Sequence, residues 1–83
     1  MIFIVASKEF QVSDFIRNTH RERIPYKYVY DWRIMQGHHG PQHEIWFVAN
    51  YYRRADYREI QEISLIREFT IRYFNKRDEE VTK

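Results

Sequence analysis

Three groups of side chains in this 83-residue chain carry enough chemistry to be weighed first. The densest is Asn50-Tyr51-Tyr52-Arg53-Arg54, which with Tyr57 and Arg58 interleaves amide, phenol and guanidinium. Guanidinium holds phosphate or carboxylate, and a tyrosine ring stacks on bases or on other side chains. The second group is His38 and His39 with His43 and Glu44. Imidazole and carboxylate are ligands for zinc or nickel. Adjacent histidines diverge, however, and the spacing matches no ligand pattern, so solvent-facing loop residues and no metal are expected. General acid–base work by one of them needs a partner and a pocket, and the sequence offers neither. The third group, Glu59, Glu62 and Glu68 among Arg58, Arg67 and Arg72, has the helical spacing of surface ion pairs rather than of a catalytic carboxylate pair.

The tyrosine–arginine stretch is positioned by the run before it. Glu44-Ile45-Trp46-Phe47-Val48-Ala49-Asn50 places five apolar residues in a row, which suits a strand buried on both faces. Ile2-Phe3-Ile4-Val5-Ala6 is a second such run, and Tyr26-Lys27-Tyr28-Val29-Tyr30-Asp31 reads as a more polar edge strand. Between the first two strands in sequence, Val12, Phe15, Ile16 and Thr19 make one helical stripe, with Ser7 as the expected cap and Pro25 beyond its end. Trp32–Gln36 reads as a short helical turn and Gly37–Gln42 as a loop. A long last helix is expected from Asp56, an N-cap with Glu59 three residues on, to about Asn75. Its wheel has two apolar sides. Tyr57, Ile60, Ile63, Ile71 and Phe74 face the sheet, while Leu65, Ile66, Phe69 and Tyr73 form a second side with no sheet to cover.

Strands alternating with helices imply an α/β fold with a three-stranded parallel sheet in the order 2-1-3 and two main helices, half of a doubly wound Rossmann-like fold. A hairpin through Gln36–His43 is the alternative for strands two and three. One domain is expected, with a frayed tail from about residue 77 to 83. In such sheets ligands bind at the carboxyl ends of the strands. Ser7, Lys8, Asp31 and Asn50 with Tyr51, Arg53 and Arg54 gather there, beside two helix N-termini that favour anions. Ala6-Ser7-Lys8-Glu9-Phe10 contains no glycine, which excludes a dinucleotide fingerprint and a P-loop.

Net charge is +2 and arginine greatly outnumbers lysine, a mild lean towards phosphate or carboxylate partners. Twelve acidic residues spread along the chain argue against a nucleic-acid tail. There is no cysteine, so disulfides and thiolate metal sites are excluded and a reducing compartment is expected. Residues 1–6 lack the basic start of a signal peptide, and no stretch is long enough to cross a bilayer.

The pattern resembles small Rossmann-like α/β proteins encoded by bacteriophages, those of actinobacteria above all, for which no activity is assigned. The matching features are Ile2–Ala6, Tyr28-Val29-Tyr30, the turn at Gly37, Trp46-Phe47-Val48, the Tyr52–Tyr57 loop and the helix opening Arg58-Glu59-Ile60. Such proteins tend to carry glycine after the third strand, where this chain has Ala49-Asn50. The resemblance implies a non-essential accessory protein of the host cytoplasm and transfers no catalytic residue. The expected function is therefore non-enzymatic and cofactor-free: binding of a host protein through Asn50–Arg54, Tyr57 and Arg58. The face made by Leu65, Ile66, Phe69 and Tyr73 would serve that partner or a homodimer. Nucleic-acid binding through the tyrosine–arginine loop is the alternative.

Overall fold

Side chains alternate across a strand, and in this chain the alternation divides the apolar runs between two cores. In the computed structural model, which describes residues 1–81, one sheet has the order β2-β1-β3-β4-β5. Its strands are β1 (Ile2–Val5), β2 (Tyr26–Tyr28), β3 (Glu44–Phe47), β4 (Thr70–Phe74) and β5 (Glu80–Val81). The first four are parallel and β5 is antiparallel to β4. Helix α1 (Glu9–Asn18) packs Val12, Phe15 and Ile16 on one face, against Ile4, Trp46, Val48 and Phe74. On the other face, helix α2 (Tyr57–Ile66) and the 3₁₀ turn Trp32–Met35 cover Phe3, Val5, Ile45, Phe47 and Phe69. Placing α1 alone on one side, with the later connections on the other, is what right-handed crossovers demand of this strand order.

The parallel 2-1-3 core is as the sequence implies, with Ile2 opposite both Tyr26 and Glu44. The hairpin between strands two and three does not form. Three features differ from expectation. The sheet has five strands rather than three. The last helix stops at Ile66, and Thr70–Phe74 is a strand beside β3. Within the stretch expected to fray, Glu80 and Val81 pair with β4, while Thr82 and Lys83 lie outside the described residues.

The early stop has a local cause. The amide of Glu68 donates to the carbonyl of Leu65 and that of Phe69 to Ser64, the paired bonds of a Schellman ending. That ending needs a left-handed residue just past the helix, and Glu68 supplies it at φ +60°. Helix α1 closes the same way, with His20 at φ +57° and bonds from His20 to Arg17 and from Arg21 to Ile16. Glycine normally marks this position, so neither stop is announced in the sequence.

The supposed second helix face is thereby dissolved. Phe69 is buried, its ring stacked on Phe3 at 5.6 Å, and Tyr73 lies on β4, stacked on Phe47 at 5.1 Å. Only Leu65 and Ile66 stay in water, 63% and 78% exposed. They cannot form a four-residue stripe with partners that sit inside the molecule.

Candidate interaction rim at the strand ends

β1 leads to its neighbour on one side and β3 to its neighbour on the other, so the ends of β1 and β3 flank the switch point where ligands lodge in such sheets. The chain after β3 turns sharply there. Ala49 takes a left-handed φ of +53°, a conformation that favours glycine. A 3₁₀ turn, Tyr51–Arg53, follows and points Arg54 back over the sheet.

Arg54 has five N–H donors and all five are engaged. Nε and Nη2 donate to the two carboxylate oxygens of Asp56 at 2.8 and 2.9 Å. Nη2 also donates to the carbonyl of Tyr30 at 2.9 Å, and Nη1 to those of Val29 and Ala6, the latter at 3.4 Å. The guanidinium thus reaches from the loop after β3, across the end of β1, to the end of β2. Its side chain is 8% exposed and lies over the Tyr28 ring. The crevice expected to receive a ligand is bridged by the protein's own arginine.

The neighbouring groups are engaged as well. Asp56 holds the N-cap position of α2 but makes no capping bond, because its carboxylate faces Arg54. Asp31 accepts from the amide and guanidinium of Arg33, bonds that hold its carboxyl below the usual range. Ser7 lies one residue outside α1, whose N-cap is Lys8, and the Lys8 amide donates to the Gln11 side chain.

Of the expected binding residues, the structure brings fewer to the surface than the sequence suggests. Tyr51 is buried against Phe47 and Tyr57, and Tyr57 packs edge-on to Phe47. Asn50 is half-buried and accepts from the Tyr52 hydroxyl at 3.3 Å. Tyr52, Arg53 and Arg58 are exposed. Arg58 stands apart on α2, beside a shallow depression it lines with Tyr57, Gln61 and Glu62. The interleaved aromatic–basic ladder needed to stack successive bases is therefore not presented on one surface.

Two residues the sequence reading passed over do reach this rim. Phe10, in the first turn of α1, and Tyr30, just past β2, are 63% and 65% exposed, and Tyr52 is 46% exposed. Each follows a different parallel strand at its carboxyl end. Phe10 was legible: it falls opposite the Val12, Phe15 and Ile16 stripe on a helical wheel.

The histidines lie at the opposite end of the sheet. His38 and His43 meet edge to face at 4.8 Å, and His43 packs near Phe3 and Phe69. Glu44 points to the other face, where it accepts from the Trp46 indole at 2.8 Å and pairs with Arg72 at 3.3 Å. Among the described residues no group of three or more His, Asp or Glu side chains is placed to hold a metal ion. The ion pairs expected along the last helix are also absent among the described residues. Arg67 instead donates to the carbonyls of Met35 and His38, and Arg72 sits on β4. No helix among them is long and apolar enough to cross a membrane.

Compared with known protein families, curated proteins and solved structures, the chain matches none.

Proposed function

We propose that this chain is a non-enzymatic binding module that docks a protein partner on the rim formed by Phe10, Tyr30, Tyr52 and Arg53. The observation that carries the reading is the saturation of Arg54. With five donors committed to Asp56 and three backbone carbonyls, the arginine that spans the strand-end crevice has none left for a phosphate. What remains at that end is a closed surface with exposed aromatic side chains, and aromatic residues with arginine are what protein interfaces concentrate. The resemblance to phage-encoded accessory proteins supplies the partner class, a protein of the bacterial host met in its cytoplasm. Nucleic acid is disfavoured because Tyr51, Tyr57 and Arg54 are committed to packing and internal bonds.

The test compares the wild type with a Phe10→Ser, Tyr30→Ser, Tyr52→Ser triple variant in capture from host lysate, followed by binding of the captured protein in purified form. A purified partner that binds the wild type and loses at least tenfold in affinity with the variant supports the reading. Thermal stabilisation by a nucleotide, abolished by Arg54→Met but not by the triple variant, overturns it.

A further inference from the structure

At the end of the sheet opposite the rim, the loop 36–43 is fastened to the turn between α2 and β4. The Gly40 amide donates to the Arg67 carbonyl at 2.8 Å, and the Thr70 hydroxyl to the Pro41 carbonyl at 2.8 Å. Arg67 Nη1 donates to the carbonyls of Met35 and His38, each at 3.2 Å. Inside this fastening lies His43, whose Nδ1 is buried without a hydrogen-bond partner. We propose that the loop 36–43 is an acid-released latch, with the His43 imidazole as its pin.

A neutral imidazole leaves one nitrogen without a proton, and that nitrogen tolerates an apolar wall at the cost of one unmade bond. A protonated imidazole makes both nitrogens donors and spreads a full charge over the ring. The buried Nδ1 has no acceptor to receive its proton. β1 contributes the Phe3 ring and the Met1 amino group. The loop contributes His38 and His39, and the α2–β4 turn contributes the Phe69 ring and the Arg67 guanidinium. Apart from the imidazoles, the charged groups in that set are cationic. The nearby carboxylates are turned away: Glu44 is held by Trp46 and Arg72 on the other face, and Glu68 is exposed. Burial, reinforced by the Met1 amino group and then by His38 and His39, holds His43 below the ordinary histidine range. The residue is only half-buried but its Nδ1 is sealed, so once protonated that nitrogen reaches water only if something moves; the loop is the part that can yield, since β1, β3 and β4 are paired on both sides.

The test is amide exchange by NMR, corrected for the intrinsic pH dependence, on the intact chain at pH 7.5 and pH 5. Protection of the Gly40 amide is expected to drop at least tenfold at the lower pH, while the Val48 amide, bonded to Val5, keeps its own. His43→Phe and His43→Gln are expected to remove the drop. Titration of the imidazole provides a readout independent of the variants: His43 is expected to titrate below the ordinary histidine value. The inference is overturned if His43 titrates at or above about 6.5, the ordinary value. It is overturned equally if Gly40 protection is unchanged by pH, or if both variants keep the wild-type response.

Discussion

Replacing Arg54 tests the reading of the strand-end crevice most directly, because a ligand-binding arginine and a bridging one predict opposite outcomes. A ligand-binding arginine on a free surface can be removed with little effect on folding, since surface substitutions usually stay within about 0.5 kcal/mol. Arg54→Met keeps much of the aliphatic stem and removes the guanidinium. It leaves the Asp56 carboxylate without its bidentate partner and three backbone carbonyls without a donor. Breaking a buried charge pair by removing one member costs about 3–5 kcal/mol. Asp56 is about one-third exposed and water can reach the freed carbonyls at this rim, so the lower end applies, about 3 kcal/mol. A chain of 83 residues is held by about 4–12 kcal/mol in total. The variant should therefore melt at least about 12 °C below the wild type. Arg54→Lys should fall between the two, because an ammonium cannot reproduce the fork to the carboxylate. The assay is urea and thermal denaturation followed by circular dichroism, with Arg53→Met as the exposed control. If Arg54→Met and Arg53→Met both remain within about 0.5 kcal/mol of the wild type, the guanidinium is not bridging the strands and the argument for a closed crevice fails.

The helix endings predict stabilisation by glycine. Glu68→Gly and His20→Gly should each raise stability by about 0.5–1 kcal/mol, the left-handed strain relieved less the entropy glycine loses; unchanged urea midpoints would contradict the assigned endings. Phe69→Asp should unfold the chain, seen as loss of the far-ultraviolet signal, because it puts a carboxylate against Phe3 in the core; a folded variant of altered mass would restore the helix-face dimer. Global stability should also depend on His43. Its folded pKa lies below the unfolded value, so its share of stability is complete above pH about 6.5 and is lost as the pH falls through the lowered folded value. A denaturant midpoint whose fall between pH 7 and pH 5 is the same in His43→Phe would refute that assignment.

How much was legible follows from how each element announces itself. The two apolar runs at Ile2–Ala6 and Ile45–Ala49 and the stripe at Val12, Phe15 and Ile16 carry their periods openly, and the parallel 2-1-3 core follows from them. The end of α2 does not announce itself, since Glu68 occupies a conformation that sequence patterns assign to glycine. Without that stop, helical spacing absorbs Thr70–Phe74, although its mix of threonine, isoleucine, tyrosine and phenylalanine favours a strand. Two opposite apolar sides on one helix were in fact the trace of this error: Phe69 and Tyr73 are apolar because they are core, not because they await a partner. The strand ends themselves were legible, but the role of Arg54 was not, because its acceptors are the backbone carbonyls of residues 6, 29 and 30, which carry no sequence signature.

The bridge also sets this sheet apart from those that open their strand ends to a ligand. An open doubly wound sheet presents its strand ends to phosphate through glycine turns and unbonded helix amides. Here several of those openings are filled from within. Ala49 turns the chain where a glycine would let a ligand approach, Asp56 and Asp31 are neutralised by Arg54 and Arg33, and the Lys8 amide is taken by Gln11. Filling them fixes three loops relative to one another, since Arg54 ties the loop after β3 to the ends of β1 and β2. Loops held in that way lose little freedom on meeting a partner, which lowers the entropic cost of docking. Tyr30 and Tyr52 are carried on two of those loops, and Phe10 on the first turn of the helix that follows the third. On the proposed reading, the interactions that bridge the crevice are therefore the same ones that would hold its rim rigid for a large partner.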